Sequence, residues 1–239
     1  MMKCKFILLL GVFSFLVSFR TSDSYADPLD YLSEIKDELK VEWPNNRTIN
    51  LVFHGHSVPA GYYKTPIVKP FESYPLMVMK ALKDKYPYAV INSINTAIGG
   101  ENSLSGSKRF GSDVMTHNPD ILFIDYALND RGIGLEVSAK SWRKMIQKAL
   151  KKDVKIILLT PSPDTRVDIL DTNSTLETHA KLVRALAEEY HLGLVDSYQL
   201  FGRKVEMGDS LSLYMSESVV HPNERGHQLI VDEIMRYFE

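Results

Sequence analysis

The stretch Asn50-Leu51-Val52-Phe53-His54-Gly55-His56-Ser57-Val58-Pro59-Ala60-Gly61 limits the fold more than any other, because an apolar run stops abruptly there at small and polar residues. Leu51, Val52 and Phe53 suit a strand covered on both faces, and Gly55 permits a sharp exit that a side chain would obstruct. Ligands of open α/β sheets bind beyond the carboxyl ends of the strands. Ser57 therefore stands where chemistry would be done, as a nucleophile or as an ordinary turn serine.

An alternation of strands and helices surrounds this stretch. Asp27-Pro28 followed by Leu29, Leu32, Ile35 and Leu39 reads as an N-capped helix with proline in its first turn. The spacing predicts helices over 74–86, 138–150 and 175–190, further strands over 89–95, 121–126, 154–160 and 193–196, and a last helix through Leu229, Ile230, Ile234 and Met235. Five strands alternating with helices require right-handed crossovers and a five-stranded parallel sheet covered on both faces, an α/β fold. The connection over 58–73 is long for a strand-to-helix loop and carries Tyr62, Tyr63 and Phe71. Tyr62 and Tyr63 read as substrate-binding walls or as packing onto the domain.

Residues 1–26 read as a secretory signal peptide: a basic start, an apolar segment from Phe6 to Phe19 and small residues at Ser24 and Ala26 ahead of cleavage. The reading implies export, to a periplasmic or extracellular location, with no stable membrane insertion afterwards. Cys4, the only cysteine, lies inside that segment, so residues 27–239 hold no disulfide, cysteine nucleophile or cysteine-ligated zinc. Those residues suffice for one domain with a substantial core and are too few for two ordinary ones. A formal net charge of −2, with acids and bases interspersed, offers no basic face for nucleic acid.

Four pieces lie at strand ends or in a late loop: Ser57, Gly100, Asn129 and His221. Together they suit acyl transfer. Imidazole, with an unperturbed pKa of about 6.5, can take a serine proton near neutrality and return it to a leaving group. The backbone N–H groups of Ser57 and Gly100 and the amide of Asn129 can serve as an oxyanion hole. No cofactor or metal is required.

The blocks Gly55-His56-Ser57, Gly100, Ala127-Leu128-Asn129-Asp130 and His221-Pro222-Asn223, followed by Gly226-His227, resemble those of the SGNH hydrolases, the GDSL esterase/lipase superfamily. The order and strand context make the resemblance specific. It spans residues 27–239 and implies a flavodoxin-like three-layer α/β/α sandwich that hydrolyses esters, commonly acetylated sugars, acyl lipids or thioesters. Three positions depart from the family pattern. His56 replaces the usual aspartate before the serine, Ala127 replaces a glycine, and Ser218 replaces the acid three residues before the histidine. Ser218, through its carbonyl or hydroxyl, and Glu217 are then the nearest groups that could orient His221.

The substrate expected is a small-molecule or glycan ester with a short acyl group, acetyl first, and His56 is a further candidate for contact with it. Rival readings are a lipase/acylhydrolase or thioesterase of the same fold, and a catalytically weak relative that binds an acylated glycan. A metal-dependent barrel hydrolase using His54 and His56 is the remaining alternative; the chain is short for an eight-stranded barrel and shows no second histidine pair. The oligomeric state is not encoded in any of these features.

Overall fold

The computed structural model describes residues 25–239, so the expected signal peptide lies almost wholly outside the described residues. The apolar run becomes strand β1 (Thr48–Gly55), which pairs on both edges. Its side chains alternate between two core layers: Leu51 and Phe53 enter one, Val52 the other, and all three are fully buried. Phe53 stacks on Phe123 of the neighbouring strand with ring centroids 4.4 Å apart. Burying such side chains contributes roughly 1.5–3 kcal/mol each, which favours a place inside the sheet for this strand, with a neighbour on either side.

After β1 come a single helical turn α3 (Ser57–Ala60) and a small hairpin of β2 (Tyr62–Lys64) and β3 (Ile67–Val68). Strand β4 (Val90–Asn95), β5 (Ile121–Asp125), β6 (Lys155–Leu159) and β7 (Gly193–Val195) complete the main sheet, all parallel, in the order β4-β1-β5-β6-β7. The amino-terminal helix breaks in two at Leu32, giving α1 (Pro28–Tyr31) and α2 (Ser33–Lys40). One face of the sheet is covered by α2, α4 (Tyr74–Lys85), α9 (Ser197–Glu206) and α10 (Glu224–Met235). The other is covered by α5 (Ser103–Asp113) and α7 (Leu135–Leu150), while α8 (Thr175–Tyr190) contributes to both layers. A short turn, α6 (Ala127–Asp130), follows β5.

This is the flavodoxin-like α/β/α sandwich, with five parallel strands as expected. In this order the chain reverses direction across the sheet between β1 and β5, the point at which α/β sheets open a ligand crevice. Ser57 and Asn129 leave the sheet on the two sides of that point. The barrel reading is overturned by the open sheet. Among the described residues, no helix is long and apolar enough to cross a membrane.

Candidate active site

Ser57 begins α3 immediately beyond β1, where Gly55 lets the chain turn against β5: a Cβ there would lie 2.4 Å from the Asp125 carbonyl oxygen. At the first position of a helical turn the Ser57 N–H has no carbonyl partner within the helix. His221 is carried by a loop folded on itself. Met215 pairs with Pro222, the Ser216 N–H donates to the His221 carbonyl at 2.9 Å, and Asn223 both caps α10 and donates to the carbonyls of Leu213 and Met215. The result places His221 Nε2 3.0 Å from Ser57 Oγ across 164 residues of sequence. An imidazole lone pair at that distance can take the serine proton.

Gly100 follows β4 with φ of +78°, a left-handed conformation that favours glycine. Two contacts bind its loop to the turn after β5. The Asn129 side chain donates to the Glu101 carbonyl at 2.9 Å, and the buried Asp130 carboxylate accepts the Ser103 N–H at 2.7 Å, together with Ser138 and the Trp142 indole. The second Asn129 N–H remains for another acceptor. The Glu101 side chain is locked as well, by Arg109 and by the Tyr126 hydroxyl at 2.7 Å. Burial opposes its charge, yet those donors hold its carboxyl below the usual range. A preorganised loop is what oxyanion binding needs, because donors that are already aimed cost no reorganisation during reaction.

Neither Ser218 nor Glu217, the groups expected to orient His221, hydrogen-bonds its ring. Glu217 points outward and pairs with Lys64 on the surface, with over half of each side chain exposed. Ser218 makes only local contacts: its N–H donates to Ser216 Oγ, and its hydroxyl accepts from the Val220 N–H at 3.5 Å. His221 Nδ1 is buried without a hydrogen-bond partner. Burial lowers the imidazole pKa, and the nearby Tyr63 carbonyl offsets this only in part. The physical reason is that the hairpin of β2 and β3 meets this loop first: Ser216 Oγ donates to the Tyr63 carbonyl at 2.5 Å, which turns residue 217 toward Lys64. Glu217→Gln should consequently lower kcat/KM by less than about tenfold, or about 1.4 kcal/mol. A loss near 10⁴, measured on an acetyl ester, would show that the carboxylate swings in to serve the imidazole.

The candidate substrate contacts separate. Tyr62 lies beside His221, with ring centroids 6.0 Å apart, and its ring also covers Gly99, where an added Cβ would come within 2.8 Å of it. Tyr63 turns its ring to Lys69, whose ammonium sits 4.3 Å from the ring centroid. His56 is fully buried beneath Ser57, so it is removed from the substrate contacts. The metal reading of His54 and His56 fails on their partners as well. His54 meets Thr96 Oγ1 at 2.9 Å and the Tyr126 hydroxyl at 3.1 Å, and His56 Nδ1 accepts the Val58 N–H at 3.2 Å. Among the described residues no group of three histidine or acidic side chains could hold a metal ion.

Residues 53–229 match the GDSL-like lipase/acylhydrolase family. The chain belongs to that family. No curated protein matches the sequence significantly. Solved structures share the fold of this GDSL-family chain at low identity. A two-domain esterase active on acetylated mannans superposes with a TM-score of 0.70 at 22% identity, over 87% of this chain and 52% of its own. The chain thus spans about half the length of that esterase. The acetylxylan esterase Axe2 from Geobacillus stearothermophilus superposes with a TM-score of 0.69 at 20% identity, over 83% of this chain and 96% of its own.

Two groups near the site, Glu101 and Asp164, are not among the site residues read from the sequence. Glu101 follows Gly100 directly, but its importance lies in an arginine eight residues on and a tyrosine after another strand. Asp164, nearly buried, joins Arg131 to Arg166, and the hydrogen bonds it accepts, from Arg166 foremost, hold its carboxyl down to about 2. Its loop then meets the His221 loop, as the Thr165 N–H donates to the Val219 carbonyl at 2.8 Å. The Asp164-Thr165-Arg166 turn was a visible signal, because aspartate readily accepts the N–H two residues on.

Proposed function

We propose that this hydrolase removes short acyl groups, acetyl in particular, from carbohydrate, after export directed by residues 1–26. The observation that carries the reading is the 3.0 Å approach of His221 Nε2 to Ser57 Oγ at the reversal point of the sheet. In the mechanism, Ser57 attacks the ester carbonyl as His221 takes its proton. The Ser57 and Gly100 N–H groups and the free Asn129 N–H receive the oxyanion, and His221 protonates the departing alcohol. Water then attacks the acyl-enzyme with the same imidazole as base.

Three features support a short acyl group. Ser57 and His221 are only 8% and 6% exposed, so little of the reacting pair is open to a bulky acyl chain. Tyr62 stands between His221 and the Gly99–Gly100 turn, closing one side of the space an acyl chain would fill. The fold is shared with an esterase described as active on acetylated mannans and with an acetylxylan esterase.

Hydrolysis of p-nitrophenyl esters should fall at least tenfold from acetyl to hexanoyl, and acetylated xylan or mannan should release acetate. Faster cleavage of long-chain emulsions than of acetyl esters would reject this substrate class in favour of a lipase.

A further inference from the structure

Beneath Ser57 lies a second imidazole that the mechanism above leaves without a task. His56 is fully buried, and its Nδ1 accepts the Val58 N–H at 3.2 Å, capping the turn that Ser57 begins. The same nitrogen is 3.5 Å from Ser57 Oγ. Because Nδ1 accepts an N–H it must hold a lone pair, so the single ring proton of a neutral imidazole is on Nε2. Nε2 faces Asp125 Oδ1 at 3.2 Å, in an approach too bent for a full hydrogen bond. Asp125 is itself buried at the end of β5 and accepts the Tyr74 hydroxyl on its other oxygen at 3.1 Å.

A carboxylate beside one ring nitrogen favours the tautomer whose proton is on that nitrogen, even where the approach is bent. Here the effect is directed at the nucleophile's backbone instead of at the base. His56 cannot replace His221 as the group that protonates a leaving alcohol, since its ring is closed off from the crevice. It can determine where the first turn of α3 stands, and that turn carries both the Ser57 hydroxyl and the Ser57 N–H. Were the ring proton on Nδ1, it would point at the Val58 N–H, donor against donor, and the turn would lose its cap. Asp125 prevents this by offering an acceptor only at the far nitrogen.

We propose that His56, held in one tautomer by Asp125, is a positioning residue that sets the Ser57 hydroxyl and N–H for attack. The inference rests on the reading of Ser57 as nucleophile. It implies that an acceptor at position 56 is needed and that an imidazole as such is not. Asparagine, a good helix cap, can present its side-chain oxygen to the Val58 N–H, while leucine fills the space without an acceptor.

The test compares His56→Asn with His56→Leu on p-nitrophenyl acetate and follows labelling of Ser57 by a fluorophosphonate, with circular dichroism to confirm folding. His56→Asn should keep kcat within about tenfold of wild type. His56→Leu should lose on the order of 10² in kcat with KM changed less than about threefold, the size of effect expected from a misplaced reacting group. Labelling should slow in parallel, since phosphonylation uses the same serine, base and oxyanion donors. Equal loss in both variants would overturn the proposal by showing that ring packing matters instead. A fall confined to KM, or none in His56→Leu, would also overturn it.

Should His56→Leu fail to fold, Asp125→Asn provides the second measurement. With the Tyr74 hydroxyl holding the amide oxygen, its NH2 faces His56 and favours the wrong tautomer. A fall in kcat is expected in the wild-type background and little further fall in His56→Asn; independent, multiplying effects would overturn the proposal. Failure of the parent reading looks different, because wild-type protein would then not be labelled at Ser57 at all.

Discussion

Ser57→Ala is expected to abolish ester hydrolysis, with kcat falling on the order of 10⁶-fold, as when a serine hydrolase loses its nucleophile while its base and oxyanion donors remain. The fold should survive. Among the described residues the Ser57 hydroxyl has only His221 and His56 within hydrogen-bond reach, and removing it takes away no apolar packing. His56 would still cap α3 through the Val58 N–H, and His221 would still be held by the Asn223 and Ser216 contacts of its loop. The decisive measurement is turnover on acetyl esters alongside fluorophosphonate labelling, with circular dichroism unchanged. Wild-type turnover in Ser57→Ala would defeat the assignment of the whole site.

The second large effect concerns stability in acid. Burial lowers His54 to about 4, with the nearby Arg109 adding to the shift. Burial lowers His227 to about 3, reinforced by His221. Both imidazoles are therefore neutral in the folded chain, whereas in the unfolded chain each takes up a proton near 6.5. Between 6.5 and the folded values the unfolded state binds more protons, so stability rises with pH in that range. The contribution is complete above 6.5. It is lost as pH falls, approaching about 1.4 kcal/mol per pH unit for each histidine once the unfolded form is fully protonated, so the pair would remove roughly 2.4 kcal/mol between pH 6 and pH 5. That is a large share of a typical domain stability of about 5–15 kcal/mol. Urea unfolding at pH 7.5, 6 and 5 measures it in a window above the titration of ordinary carboxylates. A flat midpoint across that range would show that these two rings are not held neutral by burial.

His54 also shows why part of the site was legible and part was not. Its position at the end of an apolar strand was evident, and a histidine two residues from another suggested metal. Its actual neighbours are Thr96 and Tyr126, from the ends of the two flanking strands, and only the sheet order β4-β1-β5 makes them neighbours. The hairpin of β2 and β3 and helix α9 were missed for simpler reasons. The hairpin strands are two and three residues long, below any usable period, and α9 was marked mainly by the Asp196 cap. The break between α1 and α2 at Leu32 falls inside one continuous apolar stripe, so spacing could not reveal it.

The sequence by itself determined the five buried strands, the helices between them and the placement of Ser57, Gly100, Asn129 and His221 at strand ends or in the last loop. It could do so because burial on both faces of a strand and on one face of a helix writes a local, periodic pattern. The tertiary structure decided which side chains meet. Glu217 turns to Lys64 and leaves the imidazole four residues away unserved, while His56 finds its acid on a strand 69 residues later. Those choices depend on the direction in which each side chain leaves a folded backbone and on what already occupies the space it would enter, and neither is encoded in spacing along the chain.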